Sequence, residues 1–197
     1  MIDATELLRP GLLQGVALLV AGPPPPGGPQ GVAVAQAFAE LGAAVSTCVP
    51  AAEDESAVDC AVADALAEAG VLHVLVVDGA GLFASAALRG CMDAAWNVTR
   101  AVVNLAFLPA PAPVPVSVQR ILYLAPAAAA GEHAGAARAG LENLARTLSV
   151  EWARHGITAV SIAPAADTPV GEVAAVAAFL ASPAGAYFSG CLLEMTR

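Results

Sequence analysis

The sequence predicts an α/β fold: a doubly wound parallel sheet with helices on both faces. Short apolar runs alternate with longer helical patterns along the whole chain. The runs are too continuously apolar for half-exposed antiparallel strands, and they suit strands covered on both sides. A Gly/Pro-rich turn follows the first run, Val20-Ala21-Gly22-Pro23-Pro24-Pro25-Pro26-Gly27-Gly28-Pro29-Gln30-Gly31. A doubly wound fold places its phosphate-binding loop at that point.

Each element follows from local signals. Gly15 to Ala21 reads as a buried strand. Gly31 to Leu41 has helical spacing at Val34, Phe38 and Leu41 and stops at Gly42, a C′ residue. Ala43 to Val49 is a second strand, and Glu53 to Ala69 a helix with acidic residues at its start, which suits the helix dipole. Val71 to Val77 is a third strand, ended by Asp78-Gly79-Ala80-Gly81. Ser85 to Leu108 predicts a long helix carrying Trp96, Val103 and Phe107. The proline-alternating stretch Pro109 to Pro115 fits neither helix nor central strand and reads as a connector. Ile121 to Leu124 is a strand. Ala136 to His155 is a helix with Leu141, Leu144, Leu148 and Trp152 on one stripe. Ile157 to Ala163, Val170 to Ala181 and Cys191 to Glu194 close the chain as strand, helix and short strand. No internal repeat or second domain is evident, so 1–197 is expected to form a single domain.

Composition narrows the function classes. The chain is 58% hydrophobic, much of it alanine, yet Gly, Pro or charge interrupts every stretch approaching the length of a membrane span. Met1 to Gln14 carries Asp3, Glu6 and Arg9 and lacks a signal-peptide layout. A cytoplasmic protein with no membrane association is expected. The net charge of −9, with 8 basic residues, argues against nucleic-acid binding. Cys48, Cys60, Cys91 and Cys191 form no CxxC pair and have no histidine at zinc spacing, so buried free thiols and no metal site are expected.

The order of these signals resembles the short-chain dehydrogenase/reductase family over nearly the whole chain. Gly15 to Gly22 is similar to the family's first strand and the opening of its TGxxxGxG loop. Ala35, Ala39 and Gly42-Ala43-Ala44-Val45 are similar to the next helix and strand. Val76 to Gly81 resembles the LVNNAG segment. Arg138-Ala139-Gly140-Leu141 resembles the lysine side of the YxxxK motif, and Glu151 to Ile157 the end of that helix. Ala163-Pro164, Phe179 to Ser182 and Ser189-Gly190-Cys191 resemble later family signatures. The resemblance implies a Rossmann-like domain, NAD(P) as cofactor, and catalysis by Ser, Tyr and Lys assisted by Asn.

The departures fall on the implied active site. The Asn position is Cys91, the Ser position Ala125 or Pro126, the Tyr position Ala134 and the Lys position Arg138. Tyrosine would act as general acid/base with its pKa lowered by the lysine. Alanine has no proton to give, and arginine is effectively never neutral. Groups of this kind act as a unit, so one loss is normally severe. His133, next to Ala134, is a weak substitute candidate able to titrate near neutral pH. Tyr123 lies within a strand and reads as a core residue.

The implied cofactor loop departs as well. Gly22 opens the loop, the middle glycine position falls on Pro29 and the last on Gly31; Pro26 and Gly28 belong to the same degenerate loop, where five prolines remove five N–H donors. Cys48-Val49-Pro50 offers neither an acid for a ribose hydroxyl nor a base for a 2′-phosphate. Asp78 replaces an Asn near the adenine side and adds negative charge to a site meant for an anion. The substrate loop is short: Ala165 to Gly171 separates Pro164 from Glu172.

No NAD(P) binding and no catalytic residue are therefore expected. The main expectation is a non-catalytic subunit that supports an active reductase paralogue, or a homodimer, through the 85–108 and 136–155 helices. The alternatives are an NAD(P)-dependent oxidoreductase of altered active site, and a ligand-binding or scaffold protein using the vacated cleft.

Overall fold

The structure is a computed structural model and describes residues 4–24, 28–109 and 119–196. Among the described residues six strands form one sheet: β1 (Ala17–Ala21), β2 (Ala44–Cys48), β3 (Val74–Val77), β4 (Arg120–Leu124), β5 (Thr158–Pro164) and β6 (Cys191–Met195). Their order is β2-β1-β3-β4-β5-β6, and every neighbouring pair is parallel. Parallel strands need crossovers, and the helices α2 (Pro29–Glu40), α3 (Glu55–Ala69), α4 (Gly79–Val102), α5 (Ala134–Glu151) and α6 (Val170–Ala181) supply them. A short α1 (Ala4–Leu7) precedes β1.

The helices divide into two layers. On one face α3, α4 and α5 contribute Val58, Val62, Val98 and Leu141 to a core with Leu19, Leu75 and Ile121 of the sheet. On the other face α2 and α6 contribute Val34, Phe38, Val173 and Leu180 against Leu18, Val20, Leu122 and Ile162. Successive strand residues thus alternate between cores, which explains why β1, β3 and β4 are apolar throughout. Tyr123 is fully buried, with its hydroxyl 3.0 Å from Thr99 Oγ1, in keeping with a core role.

The order reverses between β1 and β3, so the crevice of a doubly wound sheet lies at their carboxyl ends. In the common order 3-2-1-4-5-6 another strand lies outside the second. Here the chain crosses from β2 through α3 directly to β3, and β2 is the sheet edge.

Several boundaries differ from the sequence expectation. α2 begins at Pro29, not Gly31, because proline suits a first helical turn whose N–H has no partner within the helix. β3 starts at Val74, and His73 leads into it: its N–H donates to Ala17 O at 2.8 Å while its Nδ1 accepts the Ala17 N–H at 3.0 Å. The helix expected from Ser85 begins at Gly79, breaks at Ala87 (φ 55°, ψ −167°), and gives way to a π-helical turn over Val103–Phe107. The helix expected over 136–155 starts at Ala134 and ends at Glu151, with a 3₁₀ turn at Ala153–His155 closed by left-handed Gly156. α6 has the expected bounds.

Candidate functional site

The crevice is organised around one buried carboxylate. Asp78 follows β3 and caps α4, where its Oδ1 accepts the Gly81 N–H at 2.9 Å. Its Oδ2 reaches across to the start of α2 and accepts the N–H groups of Gly28 at 2.6 Å and Gly31 at 3.3 Å. Two helix N-termini therefore converge on one anion, the arrangement that helix dipoles favour. Asp78 is completely buried, and among the described residues no cation pairs with it. Burial pushes its pKa above the ordinary carboxylate value, against the opposing effect of three N–H donors.

The glycines fit this carboxylate closely. A Cβ on Gly31 would stand 2.8 Å from Asp78 Oδ2, and one on Gly81 2.6 Å from it. A Cβ on Gly28 would lie 2.9 Å from Gly81 Cα. The donors at Gly28 and Gly31 are thus retained and aimed at the chain's own acid. This corrects two expectations. Asp78, expected to add negative charge to an anion site, instead accepts N–H groups at the start of α2. Five prolines leave the Gly28 and Gly31 donors in place. Pro29 takes the first helical position, and Gly22 donates to Cys48 O at 3.1 Å, tying the end of β1 to β2. Pro26 lies outside the described residues.

The positions implied for catalysis are placed as follows. Cys91 is buried on α4, its Sγ 3.4 Å from Gly79 O, and its thiol is pushed up to about 11 by burial and by the Asp78 charge. A thiol so held stays protonated at neutral pH and is a poor nucleophile. Ala125 and Pro126 are buried beyond β4, with the Ala125 N–H donated to Ile162 O at 2.8 Å. Ala134 is buried at the start of α5. His133 caps that helix in a left-handed conformation (φ 65°), and its exposed imidazole lies 3.6 Å from Glu132. Arg138 bonds Glu194 of β6 at 2.7 Å and Pro164 O at 3.4 Å, which fastens α5 to the ends of β5 and β6. Among the described residues no hydrogen bond or ion pair joins Cys91, His133 and Arg138.

The short loop after β5 is ordered by Thr168, whose Oγ1 accepts the Ala165 N–H at 3.0 Å and donates to Met195 O at 3.3 Å. Thr168 therefore holds the turn to β6, a role the sequence reading did not assign. Gly81, placed by the sequence in a strand-end turn, turns out to be a donor to the carboxylate. The available signal was an acid followed by Gly-x-Gly at a strand end. Among the described residues no cluster of His, Cys, Asp or Glu is arranged to hold a metal ion. Among the described residues no helix is long and apolar enough to cross a membrane.

Comparison with solved structures places the fold. A citronellol catabolism dehydrogenase of Pseudomonas aeruginosa superposes with a TM-score of 0.76 at 26% identity, covering 96% of each chain. A short-chain dehydrogenase of Mycobacterium smegmatis gives 0.78 at 23%, covering 95% of this chain and 94% of that one. The fold is that of the short-chain dehydrogenases/reductases. A hydroxysteroid dehydrogenase of Escherichia coli is similar too, at 0.73 and 17%, covering 94% and 98%. No protein-family model and no curated protein matches the sequence. The short-chain dehydrogenase/reductase fold accounts for the parallel sheet, the crevice at β1 and β3 and the helices on both faces.

Proposed function

We propose that this chain is a non-catalytic subunit of short-chain dehydrogenase/reductase fold that assembles with and supports an active reductase paralogue. The observation that carries the reading is the Asp78 carboxylate on the N–H groups of Gly28 and Gly31. A dinucleotide diphosphate at this helix end would need the same donors and would meet a buried negative charge. The residues present therefore do not fit that group. Alanine at 125 and 134 supports the same reading, because neither position offers a proton or a hydroxyl. The assembly is assigned to α4 and α5, and Trp96 on α4 is a large apolar side chain 41% exposed.

The structural neighbours favour a second reading, an NAD(P)-dependent oxidoreductase of altered active site. Those reported above are dehydrogenases, and the fold is shared over almost the full chain. This fold-level evidence backs that reading better than it backs a non-catalytic role. A third reading, a ligand-binding or scaffold protein using the cleft, has no comparison in its favour.

Calorimetric titration of NADH and NADPH separates the first two. We expect no saturable binding by the chain alone, and co-elution with an active reductase of the same fold when the two are co-expressed. Tight binding by the chain alone, with carbonyl reduction, overturns the non-catalytic reading. Ala134→Tyr by itself should yield no NADPH-dependent reduction, because Asp78 still occupies the α2 terminus. It should also cost about 1–3 kcal/mol of stability, since position 134 is fully buried.

A further inference from the structure

The outer edge of β2 is open, and a groove runs beside it. β2 pairs with β1 in unbroken register from Ala44 to Cys48, and among the described residues nothing pairs with its other side. The Ala44 N–H bonds Val16 O, and Cys48 O accepts from Gly22. The alternation of a parallel ladder then directs the N–H and C=O groups of Val45 and Thr47 to the open side. Natural edges are usually blunted by a bulge, a proline or a lysine within the strand. The sequence Ala44-Val45-Ser46-Thr47-Cys48 has none of these.

The groove has a volume of about 490 Å³. Ser46 and Cys48 line it from the strand, Ala61 and Ala65 from α3, and Asp64 and Glu68 stand on its α3 side. Both carboxylates are exposed, and among the described residues no cation pairs with them. One helical turn separates them, about 6 Å along the axis. Alternate residues of a strand are about 7 Å apart on one face. A strand laid along β2 would therefore offer both carboxylates a partner if it carried basic residues at positions i and i+2.

We propose that the β2 edge is a strand-addition site for an extended segment of a partner protein with basic residues at alternate positions. Main-chain bonds to Val45 and Thr47 would supply affinity, and Asp64 and Glu68 would select the charge. A second copy of this chain does not fit. The chain has no lysine and a net charge of −9, and it would bring the same two carboxylates to the junction. The site does not depend on whether the chain is catalytic, and its occupant need not be the reductase partner.

The test uses the full chain and two labelled ten-residue peptides, one alternating Lys with Thr and one alternating Glu with Thr. Fluorescence anisotropy should show the lysine peptide binding at least tenfold more tightly, with affinity falling as salt rises. Thr47→Pro removes one outward-facing N–H at an edge position where proline is tolerated, and leaves the charge unchanged. It should weaken binding at least tenfold with an unaltered circular dichroism spectrum. The double variant Asp64→Lys, Glu68→Lys changes only exposed helix residues and should reverse the peptide preference, which keeps the test decisive if Thr47→Pro misfolds. On binding, the amides of Val45 and Thr47 should exchange more slowly. Equal affinity for both peptides, or wild-type affinity in Thr47→Pro, overturns the proposal. Self-association that Thr47→Pro abolishes also overturns it, in favour of a second copy.

Discussion

Asp78→Asn exchanges one acceptor oxygen for an NH₂ donor, while three backbone N–H groups still point at the side chain. At least one buried donor loses its partner, so urea denaturation should show a loss of about 1–3 kcal/mol. The pH dependence has a definite sign. Burial raises the folded pKa of Asp78, so between the unfolded and folded values the native state binds more protons. This contribution is greatest below the unfolded pKa and declines as pH rises through the folded one. Asp78→Asn should remove that decline from the stability profile, and an unchanged acid-side slope would count against a buried carboxylate. His73 behaves in the opposite way. Burial lowers its pKa, and its Nδ1 must be unprotonated to accept the Ala17 N–H. Its stabilisation is complete above the unfolded histidine pKa and is lost as pH falls through the folded one. His73→Asn retains an acceptor and should flatten the stability profile from about pH 7 to about pH 5.

At the scale of elements, the break in α4 stands out. Ala87 occupies a left-handed extended region that is nearly restricted to glycine, a strain of order 1–3 kcal/mol. Ala87→Gly relieves it at an entropic cost of about 0.5–1 kcal/mol, so a net gain of about 1 kcal/mol is expected in denaturant titration. A loss of stability would show that the surrounding packing relieves the strain already. Most elements could be read from sequence because their ends carry local chemistry. Gly70 ends α3 in a left-handed turn, and α6 lies between Pro169 and Ser182. The start of α4 was not legible. Asp78-Gly79-Ala80-Gly81 has the composition of a turn, and glycine disfavours helix. Tertiary packing overrides that preference, since a Cβ on Gly79 would lie 2.9 Å from Leu124 O where the helix meets β4. The same limit applies to the site. A misplaced negative charge could be read from residue type. That Asp78 bonds glycines 47 and 50 residues earlier could not, because proximity in space leaves no periodicity in sequence.

For the whole molecule, the proposed assembly predicts a separation of stability from association. Trp96→Asp changes a position on α4 that is 41% exposed, so the chain should stay folded with a loss of about 1–3 kcal/mol in denaturant titration. It should abolish co-elution with the reductase partner in size-exclusion chromatography. Retained co-elution would move the interface away from α4. The carboxylate bridge has a last consequence for dynamics. It fastens the start of α2 to the start of α4, so neither can swing away without stranding a desolvated charge. The backbone protons of Gly28, Gly31 and Gly81 should therefore persist in deuterated solvent about as long as those of the central strands, released only when the whole sheet comes apart.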